Sequence, residues 1–359
     1  MNKKHLFWGS LFLMIAITAN GAASPPVKSL SFDLYAADAL FPEALADPHS
    51  SVSKLHILSV IEGQPRSIKV EGDNTYDDAA IYNGDSYASE TIYAQLKTGV
   101  NLGLFRLSYN DLIAAEFAFQ GSLNTVFQGF GGADMLGFDG AFFIGTNVEL
   151  FNMLIVRYGL QHYSGHYGDE TLENVRDHSG STATPIEYCR DNNILAGVSI
   201  SVSNNLRFYA DASRPLGESW MNPAVHIPFW VIKETSGEPL YIAVSNGEGI
   251  VPNALPASYK AWTIQTGAEL TVPLRFGEVF LAGDLKLHQD GQTQHMPGQY
   301  DEDNPWENEF SVGGGIAFYQ SGGLGKAQIE VYYHDGRFPL FNYFYQRTKY
   351  ISVGFGFSD

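Results

Sequence analysis

Apolar and polar residues alternate at period two through most of this chain, and that pattern constrains the fold more than any other feature. Between Ile194 and Val202 one face reads Ile194, Ala196, Val198, Ile200 and Val202, and the other Leu195, Gly197, Ser199 and Ser201. A Ser203–Asn204–Asn205 turn follows. Then Leu206, Phe208, Ala210 and Ala212 oppose Arg207, Tyr209, Asp211 and Ser213. Successive side chains of a strand point to opposite faces, so the two runs read as a hairpin with one apolar face. The same pattern sets Trp262, Ile264, Ala268 and Leu270 against Gln265 and Glu269, and Leu281, Leu285 and Leu287 against Asp284 and Lys286. It recurs where Ile329 and Val331 oppose Glu330.

Each run has the nine to twelve residues that a tilted strand needs to cross a bilayer. The turns at 203–205, 273–277 and 320–325 are short, whereas the connections at 166–186, 214–227, 246–258 and 289–306 are long and polar. Short turns on one rim and long loops on the other match a bacterial outer-membrane barrel. The expected fold is therefore all-β: a transmembrane antiparallel β-barrel of about 12 strands, monomeric, with short periplasmic turns and long extracellular loops. Arg207, Asp211, Glu269, Asp284, Lys286 and Glu330 would line the lumen, and so would Arg157 on an earlier strand. Arg at Ile200 would place a charge in hydrocarbon, at roughly 2–4 kcal/mol, whereas Arg at Ser199 is expected to cost much less.

The start of the chain supports export. Lys3 and Lys4 precede a largely apolar, uncharged stretch from Leu6 to Ala19, and small residues follow at Gly21, Ala22 and Ala23. This is the order of a secretory signal peptide. The expected division is a leader over 1–23, a periplasmic segment or plug over 24–53, and the barrel over 54–359. Before residue 90 the pattern weakens. Lys54–Ile61 reads as a strand that Arg66–Val70 could pair with, and Ala36–Pro48 reads as a short helix or plug.

Composition excludes other classes. The formal charge is −18 with no later run of Lys or Arg, which speaks against a nucleic-acid binder. The single Cys189 forms no internal disulfide and no zinc spacing. No cofactor is expected; the acidic run Asp301–Glu302–Asp303–Asn304 offers oxygen ligands for calcium but lacks the EF-hand spacing. Trp220, Trp230, Tyr343, Phe344 and Tyr345 read as aromatic residues of the interfacial girdle.

Chemistry-bearing residues gather at the end of one strand. His162 and Ser164 share a face with Leu154, Val156, Tyr158 and Leu160, opposite Arg157, Gln161 and Tyr163. A regular strand would turn them towards lipid, where an unpaired imidazole is costly. Three readings fit. His166, Asp169 and Glu170 with His162 could form a rim network. His162 could serve as base to Ser164, with Asn192 on the next strand orienting the ring. His162, His166 and Asp169 could bind a metal. Gly165 would permit a bulge that reverses the faces.

Two segments carry resemblances. Leu40-Phe41-Pro42-Glu43-Ala44-Leu45-Ala46-Asp47-Pro48 and His162-Tyr163-Ser164-Gly165-His166-Tyr167-Gly168-Asp169-Glu170 together resemble an uncharacterised bacterial outer-membrane family, domain of unknown function 1207. The resemblance implies an envelope location and a barrel, and no activity. The His-x-Ser spacing also resembles that of outer-membrane phospholipase A and of the lipid A deacylase, which implies a lipid acyl hydrolase as the alternative to a non-enzymatic channel or structural barrel. The departure is Gly165, where those enzymes carry Asn. Ile351, Val353, Phe355 and Phe357 resemble the C-terminal signal read by the barrel-assembly machinery, with two further residues after Phe357. The implied partners are that machinery and outer-membrane lipids.

Overall fold

The computed structural model describes residues 30–36, 39–63, 68–71, 80–83, 91–110, 112–129, 135–169, 188–217, 231–235, 238–242, 260–289, 305–319, 325–343 and 347–358. The expected leader, Glu170, the acidic run 301–304 and the aromatic residues Trp220, Trp230, Phe344 and Tyr345 lie outside them.

Seventeen strands are described: β1 Leu30–Ala36, β2 Ser53–Glu62, β3 Ile68–Glu71, β4 Ala80–Asn83, β5 Ile92–Tyr109, β6 Ile113–Gln128, β7 Met135–Leu150, β8 Leu154–Tyr167, β9 Tyr188–Ser203, β10 Leu206–Pro215, β11 Val231–Thr235, β12 Glu238–Ile242, β13 Thr263–Leu274, β14 Gly277–His288, β15 Glu307–Tyr319, β16 Lys326–Arg337 and β17 Arg347–Ser358. Twelve of them close a ring of antiparallel neighbours, β5-β2-β17-β16-β15-β14-β13-β10-β9-β8-β7-β6, with β6 pairing back to β5. This is a closed 12-stranded β-barrel.

The short turns 151–153, 204–205 and 275–276 lie on one rim. The long connections leave the other. Two of the expected loops, 214–227 and 246–258, belong to one connection between β10 and β13 that carries the separate hairpin β11–β12. The expected pairing of Arg66–Val70 with β2 does not form. Ile68–Glu71 pairs instead with Ala80–Asn83, while the edges of β2 are taken by β17 and β5.

The first wall position is not one continuous strand. β6 covers one edge of β5 from Tyr93 to Tyr109, so β2 and β1 must divide the other. β2 pairs with Ile92–Lys97, and β1 with the stretch from Gly103 to Tyr109. Both run antiparallel to β5, so they are collinear. The chain climbs the wall as β1, leaves it at Ala36, and rejoins it at Ser53. Glycines mark both points. A Cβ on Gly103 would overlap the Glu116 carboxylate and crowd Ala36, and one on Gly99 would overlap the Ser51 carbonyl.

The wall's outer surface is apolar. Ile200, Phe208, Ile264, Leu281 and Ile329 are all exposed, with Leu281 at 59%. Among their strand neighbours, Ser199, Arg207, Tyr209, Phe280, Ala282, Gln328 and Glu330 are buried. No helix among the described residues is long and apolar enough to cross a membrane, which says nothing about crossing by strands. Gly165 causes no bulge: the β7–β8 and β8–β9 registers run through it without a shift.

One expectation about the lumen is corrected. Ser199 is fully buried, and the register sets it beside Ile155 and Tyr209, which form an apolar cluster with Phe41. An Arg there would meet packed side chains rather than water, so overpacking replaces the low cost expected from sequence. Ile200→Arg, on the opposite face, should destabilise the barrel in lipid by about 2–4 kcal/mol, because the charge sits in hydrocarbon. Denaturant titration of the refolded barrel in vesicles checks this. A cost below 1 kcal/mol would overturn the assignment of that face to lipid.

Candidate functional site

The stretch between β1 and β2 lies inside the lumen. Residues 39–52 form no strand or helix; two turn bonds, from Asp47 N–H to the Ala44 carbonyl and from Ser50 N–H to the Asp47 carbonyl, satisfy part of their backbone and leave the rest to other partners. Pro42 and Pro48 also lack donors. The wall supplies the partners. Arg207 donates to the carbonyls of Pro42 and Glu43 at 2.9 and 2.6 Å, and Lys54 donates to that of Leu45 at 2.9 Å. Lys97 donates to the carbonyl of Pro48 at 2.9 Å, and Gln120 to that of Phe41 at 3.1 Å. In the other direction, Leu40 N–H donates to Glu116 and Leu45 N–H to Glu269, both at 2.9 Å.

The plug side chains add charge pairs. Asp47 accepts from Lys286 at 2.5 Å and from Gln265 at 3.0 Å. Burial by itself would raise the Asp47 carboxyl, but the Lys286 ammonium and His49 more than reverse this and hold it well below the usual carboxylate range. Burial and Lys286 bring the His49 imidazole down to about 3, so the ring is neutral at ordinary pH. Phe41 lies under the Arg157 guanidinium, 4.0 Å from the ring centroid, and Arg157 itself forks onto Asp211 at 2.6 and 2.8 Å.

A second segment closes the lumen from the loop side. After β16 the chain turns inward through Phe338, Leu340 and Tyr343, each at most 1% exposed, with a 3-10 turn at Phe341–Tyr343. Asn124 donates to the Pro339 carbonyl at 2.6 Å, and Phe341 N–H donates to Asp139 at 2.9 Å. The Phe341 ring stacks on His49 of the plug, with centroids 4.5 Å apart. Tyr343 is therefore a lumen residue, which corrects its assignment to the interfacial girdle.

The sequence-selected inward residues fall as follows. Arg207 pairs with Glu269, Arg157 with Asp211, and Lys286 with Asp47. Asp284 accepts from Tyr209 at 2.5 Å and Gln265 at 2.8 Å. Glu330 meets His56 at 2.8 Å and Lys54 at 3.5 Å. Sequence reasoning missed the wall partners Lys54, Lys97, Gln120 and Glu116, whose signal was polarity on the inward face of otherwise apolar strands. It also missed the inward loop. The lumen holds a cavity of about 130 Å³ on the loop side of the plug and another of about 730 Å³ on the short-turn side.

The outward patch has a different geometry. His162 and Asn192 are register partners on β8 and β9, and His162 Nδ1 lies 2.8 Å from Asn192 Oδ1. Phe142 stacks on His162 at 5.0 Å and Phe138 on His166 at 4.6 Å. Ser164 lies two residues further along the same face, and among the described residues no hydrogen bond joins it to His162. Asp169 is exposed. No group of three possible metal ligands occurs among the described residues.

No protein-family model matches the chain, and no curated protein matches it. Solved structures with a similar arrangement include a Pseudomonas aeruginosa FadL homologue, at 12% identity and a TM-score of 0.31, covering 85% of this chain and 88% of that one. The translocator domain of the autotransporter NalP from Neisseria meningitidis matches at 9% and 0.36, covering 86% and 87%. The Pseudomonas putida toluene transporter TodX matches at 9% and 0.36, covering 86% and 89%. At these values the likenesses carry no argument about activity.

The fold and the filled lumen thus define a closed barrel occupied by its own chain. Lys286→Met should leave Asp47 and Glu309 buried without their shared cation, at a cost of about 3–5 kcal/mol. Hydrogen exchange within residues 39–52 should quicken while the strands stay protected. Unchanged exchange there would mean that Lys286 does not hold the plug.

Proposed function

We propose that the protein is an outer-membrane β-barrel of the bacterial envelope whose lumen is a narrow channel held shut by its N-terminal segment. The observation that carries this reading is the polar seating of residues 39–52 between two cavities. An apolar core could make a filled, structural barrel just as well. Charged and amide side chains aimed at plug carbonyls can be exchanged for water when the plug leaves; the apolar contacts given up include those of Phe41 with Ile155 and Tyr209 and of Ala46 with Phe280 and Tyr332. The apolar outer face supports the membrane location, with outer-membrane lipids as surroundings and the assembly machinery reading the last strand. Membership of the domain of unknown function 1207 family is part of the proposal and rests on its two patches, one in the plug and one on β8.

Planar-bilayer conductance tests the gate. The wild-type barrel should be closed or open rarely. Arg207→Ala should open it often, by removing two bonds to plug carbonyls. Gly99→Val should do the same by displacing Ser51, with no charge altered. Variants that keep heat-modifiable gel mobility yet stay closed would overturn the channel and leave a structural barrel.

A second reading is an outer-leaflet lipid acyl hydrolase, favoured by the His162–Asn192 hydrogen bond on the lipid-facing wall. In it Asn192 orients the imidazole, His162 takes the proton, and Ser164 attacks the ester carbonyl. Release of fatty acid from phospholipid by the refolded barrel, abolished equally by Ser164→Ala and His162→Asn, is the expected result. Absence of turnover by the wild type, with calcium present and detergent varied, removes this reading.

A further inference from the structure

We propose that β1 is the latch of the channel: β1 and the plug leave the barrel together, as one segment that swings about Ser53. The proposal rests on the channel reading and adds how the path opens. The plug is tied to the wall at both ends, by β1 before it and β2 after it. The two ties lie on one part of the wall, with Ala36 opposite Gly103 and Lys54 opposite Lys97, both on β5. A segment tied at both points can loosen inside the lumen while β1 holds. Its tip could even reach the rim, but its two legs would still occupy the lumen. A clear path needs one end released.

The two ties are unequal. β2 is paired along both edges, to β17 from Ser53 to Glu62 and to β5 from Lys54 to Ser59. β1 is paired to β5 along one edge, and no other described strand pairs with it. Releasing β2 would part β17 from β5 and open the barrel. Releasing β1 gives up a single ladder and leaves the ring of twelve strands closed. Little of β1 is covered: Leu30, Phe32 and Leu34 on its outer face are 61–63% exposed. Those side chains can lie on the membrane surface after release much as they lie on the wall before it. Leu30 stands opposite Tyr109, at the end of β5 towards the short turns, so the freed segment leaves on that side.

The junction between latch and plug is strained. Tyr35 has a φ of 56°, in the left-handed region that a residue with a Cβ disfavours. It stands where the chain leaves the wall, one residue before Ala36. In a released segment Tyr35 can return to extended backbone, so the seated state carries strain that the released state sheds. The bonds from Arg207, Lys54, Lys97 and Gln120 to plug carbonyls oppose that release and keep the latch shut.

A cysteine lock tests the latch. Phe32 and Leu107 are register partners on the outer face, and partners in an antiparallel pair stand within disulfide reach. In the Arg207→Ala barrel with Cys189→Ser, Phe32→Cys with Leu107→Cys should open in planar bilayers as often as its parent when reduced, and at least tenfold less often when oxidised. Ile57→Cys with Ala94→Cys, which ties β2 to β5, should behave alike in both states. Chymotrypsin gives a readout without current: it should cut after Phe41 in the reduced lock and at least tenfold more slowly in the oxidised one. If the first lock loses heat-modifiable mobility, Leu34→Cys with Phe105→Cys takes its place. Opening or cleavage that ignores the closed lock would overturn the proposal, because the plug would then leave alone. Cleavage governed by the lock with no current in any variant would overturn the channel and leave the latch. Neither current nor cleavage in the reduced barrel would overturn both.

Discussion

The hydrogen bonds of the plug backbone are the constraint on which the rest of the structure depends. A segment without regular secondary structure can sit at membrane depth only where protein or enclosed water satisfies its polar groups. Residues 39–52 carry two prolines and no internal ladder, so their carbonyls had to find donors on the wall. This explains why the inward face carries Arg207, Lys54, Lys97, Gln120 and Asn101 rather than apolar side chains. Acids then follow from the cations. Glu269 and Glu330 neutralise Arg207 and Lys54 and accept from the plug or from His56.

The same constraint shapes the wall. A strand that leaves the sheet and returns must expose some of its neighbour's edge. Here Ser53 Oγ accepts the Gly99 N–H at 2.9 Å, which covers part of the gap. The close approach of Ser51 allows only glycine at position 99. β1 then continues the interrupted position, so the lower half of β5 is not left as a bare edge. Insertion of the plug and continuity of the wall are thus one arrangement.

The outer surface was legible because lipid and lumen impose opposite demands on successive residues, and alternation records this directly. Ile200 and Ser199, or Phe208 and Arg207, separate by parity alone. What filled the lumen was less legible. Parity places Ser199 inside but does not reveal that Phe41 and Tyr209 occupy the space beside it. Tyr343 looked like a girdle residue because an aromatic cluster next to a strand has the same composition whether it turns to the interface or into the lumen; only the turn after Arg337 decides. Leu40–Pro48 stood out through its resemblance to a family, and Ala36–Pro48 read equally as a short helix or a plug, because nothing local says whether its carbonyls find partners within the segment or on the wall. His162 and Asn192 share a face by counting, but their hydrogen bond depends on the β8–β9 register, which the long connection between them does not fix.

The contrast between the two polar regions bears on what each can do. Inside, Arg207, Arg157, Lys286, Lys54 and Lys97 each have an oppositely charged or hydrogen-bonding neighbour, and the groups hold a segment in place. On the outer wall, His162 hydrogen-bonds Asn192, and among the described residues Phe142 covers its ring. Stacking and one hydrogen bond reduce the cost of that placement, and the bond satisfies only one ring nitrogen. A neutral imidazole with Nδ1–H given to Asn192 presents Nε2 as a free acceptor towards the membrane. This is the state a general base needs, and also the state that a lipid hydroxyl or amide would meet in a structural contact. The distinction rests on Ser164. Its hydroxyl lies one strand repeat from His162, and a rotamer change that brings it onto Nε2 would turn a tolerated polar pair into a nucleophile with its base.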